Sequence, residues 1–199
     1  MRKTAPDAFR DGHSRLYEHY CKQAPEQPDT LEQMTPLFYA VYHGCQADRH
    51  PEVRRDVYRE RILHGNEVYL IHKLGASGTS LSQLANFFQS PWTAPIPSLS
   101  SADQAWVISE SAFALRALGR LADAVDPMRA AAGARVKQAS WRNAAVNYGN
   151  LSVVGEVKAH AATGGDAEDF IEVVVGAAGE ESERHVSPER RRYSTAWLR

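Results

Sequence analysis

Two cysteines, Cys21 and Cys45, are all that the 199 residues contain, and they fall in separate expected helices. A disulfide framework needs more of them, and a metal knuckle needs a second closely spaced pair, so they read as idle or buried thiols of a reducing compartment. Net charge is equally scarce. The 23 Lys and Arg stand against 24 Asp and Glu, leaving a formal −1. Such a balance supplies no global field for nucleic acid or an anionic membrane, and neither is expected as a partner. No run approaches the roughly 18 apolar residues of a membrane span. Met1-Arg2-Lys3 is followed by Thr-Ala-Pro-Asp instead of an apolar stretch, which argues against a secretory signal and for a cytoplasmic setting. Strand-type alternation is missing until Phe170–Val175.

Catalytic patterns are lacking too. Lys73-Leu-Gly-Ala-Ser-Gly-Thr-Ser80 has glycines and hydroxyls before an expected helix, but a phosphate loop needs its lysine after the last glycine. It reads as a Gly-rich turn between helices. His43 and Cys45, two apart on a helix, diverge by about 200° and form no nucleophile–base pair. The eight histidines show no two-ligand spacing on one helix face beside a third ligand. No metal, no cofactor and no enzymatic activity are expected. Arg54, Arg55, Arg59 and Arg61, interrupted by Asp56 and Glu60, suit either intrahelical pairs such as Asp56–Arg59 or the docking of an acidic partner.

What is present is helical periodicity. Residues 1–12 are polar, aperiodic and expected to fray; Leu16, Tyr17 and Tyr20 share a face of a helix over 13–23. After the break at 24–29, Thr30 and Gln33 have capping-box spacing for a helix to about Ala47, with Leu37, Val41, Gly44 and Cys45 on one side. Pro51 opens a further helix carrying Val53, Val57 and Ile62, its arginines and acids facing water, with Gly65-Asn66 bending or ending it. Val68, Ile71, His72 and Leu74 outline a short helix. Thr79 or Ser80 caps the next, with Leu81, Leu84, Ala85 and Phe88 in register. Three prolines in 90–98 exclude helix and predict an extended connector, pinned by Trp92 and Ile96. Ser101 and Gln104 give a second capping box before a stripe of Ile108, Ser111, Ala112, Leu115 and Leu118. Gly119-Arg120 turns the chain into a return helix lined by Leu121, Ala124, Val125, Met128, Ala131 and Val136, in which Pro127 predicts a kink. A last helix from about Ser140 holds Trp141, Ala144, Ala145, Tyr148 and Leu151. Residues 155–199 are Gly-, Ala- and Glu-rich, then basic at Arg190–Arg192, and read as a degenerate or disordered tail. The expected fold is all-α over 13–154.

Asp48-Arg-His-Pro-Glu-Val53 overlays Gly119-Arg-Leu-Ala-Asp-Ala124 at a separation of about two periods of roughly 34 residues. Ala112, Gly119, Ala124 and Ala131, with Leu115 and Leu121 in the large apolar slots, resemble the tetratricopeptide-repeat family. Residues 13–153 are also similar to the repeat region of large bacterial multidomain proteins of the signal-transduction NTPase type. That likeness is carried by Arg-Leu-Tyr-Glu-His (15–19), Pro-Asp-Thr-Leu-Glu (28–32), His-Gly-Cys-Gln-Ala (43–47), Arg-Arg-Asp-Val-Tyr-Arg-Glu-Arg-Ile (54–62), Phe-Ala-Leu-Arg-Ala-Leu-Gly-Arg-Leu (113–121) and Asn-Leu-Ser (150–152). The resemblance implies an α-solenoid of antiparallel helix pairs acting as a non-catalytic scaffold for a protein or peptide segment. It places Phe38, Tyr42, Trp106, Phe113 and Arg116 along a concave groove, where aromatic and Arg side chains serve as anchors; the alternative is that Trp106 and Phe113 pack against the proline-rich connector or the tail. The alternatives it leaves are a truncated sensor or docking arm of such an NTPase, or an unrecognised enzyme. An uncapped repeat face would favour self-association.

Overall fold

A computed structural model of the chain describes residues 5–139 and 148–151. The chain divides into two units at Tyr148–Gly149, and the first carries every element named below. These are α1 (Pro6–Gln23), α2 (Leu31–Gln46) and α3 (His50–Glu52), which runs on as a π-helix (Val53–Ile62). Then come α4 (Tyr69–His72), α5 (Ser77–Leu84) with a closing 3-10 turn (Ala85–Phe87), strands β1 (Phe88–Ser90) and β2 (Ala94–Pro95), α6 (Ser101–Ala117) and α7 (Leu121–Lys137). The described residues are therefore mostly helical, as the periodicity predicts. The expected helix from Ser140 lies largely outside them, although 148–151 are helical. The expected tail, 155–199, lies outside them entirely.

α1 starts at Pro6, so the fraying expected through residue 12 stops short. Proline in the first turn loses no hydrogen bond, and Asp7 complements the positive end of the helix while pairing with Arg10. At the other end Arg61 closes the helix from a distance: its guanidinium donates to the carbonyls of Cys21 (2.9 Å), Ala24 (3.0 Å) and Pro25 (2.9 Å). Such caps satisfy the last carbonyls, which have no partner inside a helix. α2 begins as expected. Thr30 Oγ1 accepts from the Gln33 N–H, and Gln33 Oε1 accepts from the Asp29 N–H at 2.8 Å.

The core gathers Met34, Leu37 and Val41 from α2, Val53, Val57, Tyr58 and Ile62 from the π-helix, Leu84, Phe87 and Val107. Gly44 marks a close approach between elements of this core. A Cβ there would stand 2.3 Å from Val53 Cγ2 and 2.7 Å from Tyr17 Cδ2. Arg49 ties the same corner together, donating to Ser14, Glu18 and both oxygens of Glu52 while lying 4.3 Å over the Tyr17 ring.

The π-helix is the main departure from the sequence reading, which assumed ordinary helical pitch. Its i→i+5 bonding brings residues four and five apart onto one face, and the buried set is Val53, Val57, Tyr58 and Ile62. Arg54 is buried as well, instead of facing water, and the expected Asp56–Arg59 pair gives way to Arg55–Asp56 and Arg59–Glu60. Further on, Ala76 precedes α5, so Thr79 and Ser80 sit inside the helix and cap nothing. Ser80 is instead fully buried against the Tyr58 hydroxyl at 2.7 Å.

The Pro-rich segment 90–98 holds no helix; instead of one extended run it turns at 91–93, and Phe88–Ser90, with Phe88 claimed by the helical pattern, pairs with Ala94–Pro95 as an irregular antiparallel hairpin. Proline is tolerated because β2 is an edge of two residues. Trp92, at φ 65, closes the turn with its ring 5.5 Å from that of Phe88. Ser100, one residue before the expected position, caps α6 by accepting from the Asp103 N–H. Gly119, at φ +70, makes the tight turn into α7, which runs unbroken through a buried Pro127. Ala124, Met128, Ala131 and Ala132 are its buried residues besides Pro127, whereas Leu118 and Val136, counted in the apolar stripes, are exposed. Among the described residues no helix is long and apolar enough to cross a membrane.

Candidate functional site

A cavity of about 380 Å³ opens between the π-helix, the 64–68 turn and α6. Arg54, Arg59 and Leu63 line it from the π-helix side, Gly65, Asn66 and Val68 from the turn, Ala102, Asp103, Trp106 and Glu110 from α6, and Arg135 from α7. Both helical repeats are visible in that list. Positions 54, 59 and 63 step by five and four along a π-helix, and 103, 106 and 110 step by three and four along an α-helix.

Arg54 organises the interior. Its guanidinium binds Asp103 at 2.8 Å and lies 5.3 Å from the centre of the Trp106 ring, while its Nε–H is buried with no acceptor. Burial pushes Arg54 below arginine's ordinary value, and Asp103 opposes that shift. Trp106 meets Tyr58 edge-on at 6.1 Å, which joins the cavity wall to the core. Arg59 reaches Asn66 Oδ1 at 3.2 Å, and Arg135 reaches Gln138 at 3.4 Å. Burial pushes the Glu110 carboxyl up to about 7, with Arg135 pulling the other way.

The turn that closes this cavity is strained. His64, Gly65 and Val68 all have positive φ, at 52, 67 and 51. For a β-branched residue that conformation costs on the order of 1–3 kcal/mol, and such positions, like π-helical segments, recur at functional sites. His64 also stacks on Tyr69 at 4.2 Å, with its Nε2 buried and unpartnered.

The five anticipated groove residues occupy different neighbourhoods. Trp106 lines the cavity. Phe113 lies under Arg116, 5.6 Å away, and edge-on to His72. Phe38 is half-buried against the core. Tyr42 is exposed beside a ring cluster of α1 and α2, in which the Nδ1 atoms of His13 and His43 lie 2.8 Å apart and Tyr20 stacks on His43. One of those two imidazoles donates to the other. Burial, with His13 alongside, lowers His43 below its ordinary value.

Glu110 and Arg135 escaped the sequence reading, and Arg54 and Arg59 entered it only as a surface cluster. The Asp103–Trp106–Glu110 face of α6 was the available signal. Burial pushes the Cys45 thiol upward, away from thiolate chemistry, and does the same to Cys21 against the pull of Arg61. Among the described residues no group of three or more His, Cys, Asp and Glu is arranged to hold a metal ion. No protein-family model, curated protein or solved structure matches the chain.

Proposed function

We propose that this chain is a non-catalytic helical binding module, a repeat-type scaffold of the tetratricopeptide kind, that holds a protein segment presenting an acidic side chain. The carrying observation is the convergence of three arginines, Arg54, Arg59 and Arg135, with Trp106 around one cavity of about 380 Å³. The guanidinium fork presents several N–H donors in a geometry that matches a carboxylate. Arginine and tryptophan are the residue types that dominate such anchoring sites. The free thiols and the near balance of charge fit a cytoplasmic partner protein better than a nucleic acid.

The test is fluorescence anisotropy with a labelled Glu-containing peptide and its Gln counterpart. Binding favours the Glu peptide, weakens with salt, and falls at least about tenfold in Arg59→Glu, while helical circular dichroism is unchanged. Equal binding of the two peptides, or an Arg59→Glu variant that binds like wild type, overturns the proposal.

A further inference from the structure

The first helix is fastened differently at its two ends. From Ser14 onward α1 is anchored by the buried Tyr17, by Arg49 bonded to Ser14 and Glu18, and by Arg61 on the carbonyls of Cys21 and Ala24. Ahead of Ser14, Phe9 packs on the His13 ring at 4.3 Å and Arg10 meets Asp48 at 3.7 Å on the surface. The remaining tie joins His13 to His43 of α2, and it is a contact between like groups. Their Nδ1 atoms stand 2.8 Å apart, so a single hydrogen lies between them, one ring donating and the other accepting. The pair tolerates one imidazolium, which donates to the neutral ring, but not two. A second proton sets two N–H groups head to head and two positive charges in contact.

We infer that His13 and His43 form a proton-sensitive clasp between α1 and α2. It is closed while at least one ring is neutral, and it releases the first two turns of α1 (6–13) when both are charged. Opening uncovers the α2 surface around Tyr42 and His43. The clasp uses none of the residues lining the cavity, so it stands or falls independently of the binding site proposed above.

The surroundings do nothing to absorb a second charge. His13 faces the rings of Phe9 and Tyr42, while His43 faces Tyr20, stacked at 5.5 Å, and Tyr42, edge-on at 5.1 Å. Tyr39 lies beyond them, against Tyr20. Asp7 and Asp48, the acids at this end of α1, are both paired with Arg10. Among the described residues no carboxylate acts on His43, and burial and the charge of His13 both lower its affinity for a proton. A histidine shifted that way holds the closed form above its ordinary value of 6.5 and loses it as pH falls below.

The experiment follows the full chain from about pH 7.5 to about pH 5, above the range in which free carboxylates titrate. Amide hydrogen exchange, corrected for its intrinsic pH dependence, gives the opening constant of each turn. For residues 9–13 that constant rises at least about tenfold across the range, since each proton taken up is worth up to about tenfold per pH unit. The amides from Tyr17 to Gln23 and those of α2 stay level. In His13→Phe, which keeps a ring against Phe9 and takes up no proton, the dependence disappears, whereas in His19→Gln it persists. The His43 ring resonance gives a second readout: it titrates below the ordinary histidine value in the wild type and moves toward that value in His13→Phe. Exchange of 9–13 that is indifferent to pH, a dependence retained by His13→Phe or lost in His19→Gln, or an unmoved His43 titration overturns the inference. So does an equal rise throughout α1 and α2, which is general loosening and no clasp.

Discussion

The α2–π-helix pair and the α6–α7 pair solve the same packing problem with different materials. The first interlocks bulky side chains, Met34, Leu37, Val41, Tyr58 and Ile62, all without solvent exposure, and permits one very close approach at Gly44. The second buries alanines, at 112, 114, 124, 131 and 132, around Leu115 and Met128. Hydrophobic stabilisation scales with apolar area removed from water, so the first pair carries more of it per residue. Small residues let helices sit close but leave little to lose on truncation. The difference teaches where this fold is rigid and where its sequence is free to change.

The comparison breaks most clearly at Leu37. Replacing this fully buried side chain by alanine costs about 2–5 kcal/mol, read as a lower urea midpoint with an unchanged slope. Next comes Glu110, where the two halves meet. Its folded value, about 7, lies above the 4.5 of the free acid. The protonated form is thus favoured by folding: stability is fully present below about pH 4.5 and is lost as pH rises through about 7. The loss is on the order of 3 kcal/mol by about pH 8, and Glu110→Gln removes it, so the variant is the more stable protein at alkaline pH. Denaturant melts at about pH 5 and about pH 8 check both arms.

Two glycines sharpen the contrast further. Gly44→Ala forces a methyl into Val53 and Tyr17 and costs about 1–3 kcal/mol. Gly133→Ala, in α7 with nothing within 4 Å, gains about 0.5–1 kcal/mol from helix propensity alone. Thermal melts of the two variants should therefore move in opposite directions. Equal shifts would erase the distinction between the pairs.

Much of the helical layout was legible in the sequence because local chemistry decides it. Thr30 and Gln33 mark the start of α2, and Gly119 marks the turn into α7, for reasons that reach no further than a few residues. The π-helix was not legible, since Val53–Ile62 has the composition of any amphipathic helix. Its winding accompanies contacts distant in sequence: Val53 against Gly44, Arg54 with Asp103, and Tyr58 with Ser80. The cavity failed to appear for the same reason. Trp106 was singled out with Phe113 and Arg116, yet its partners Arg54 and Tyr58 come from an element some fifty residues earlier. The β-hairpin at Phe88–Pro95 stayed hidden because prolines spoke against any ladder, and only a two-residue edge escapes that objection.

Val68 holds a backbone conformation that valine disfavours, so its neighbours keep it there against its own preference. The mouth of the cavity is consequently a loaded catch, the segment with the most to gain by letting go. Any event that slackens the surrounding packing should release this corner first, changing access to the interior before the helices themselves respond.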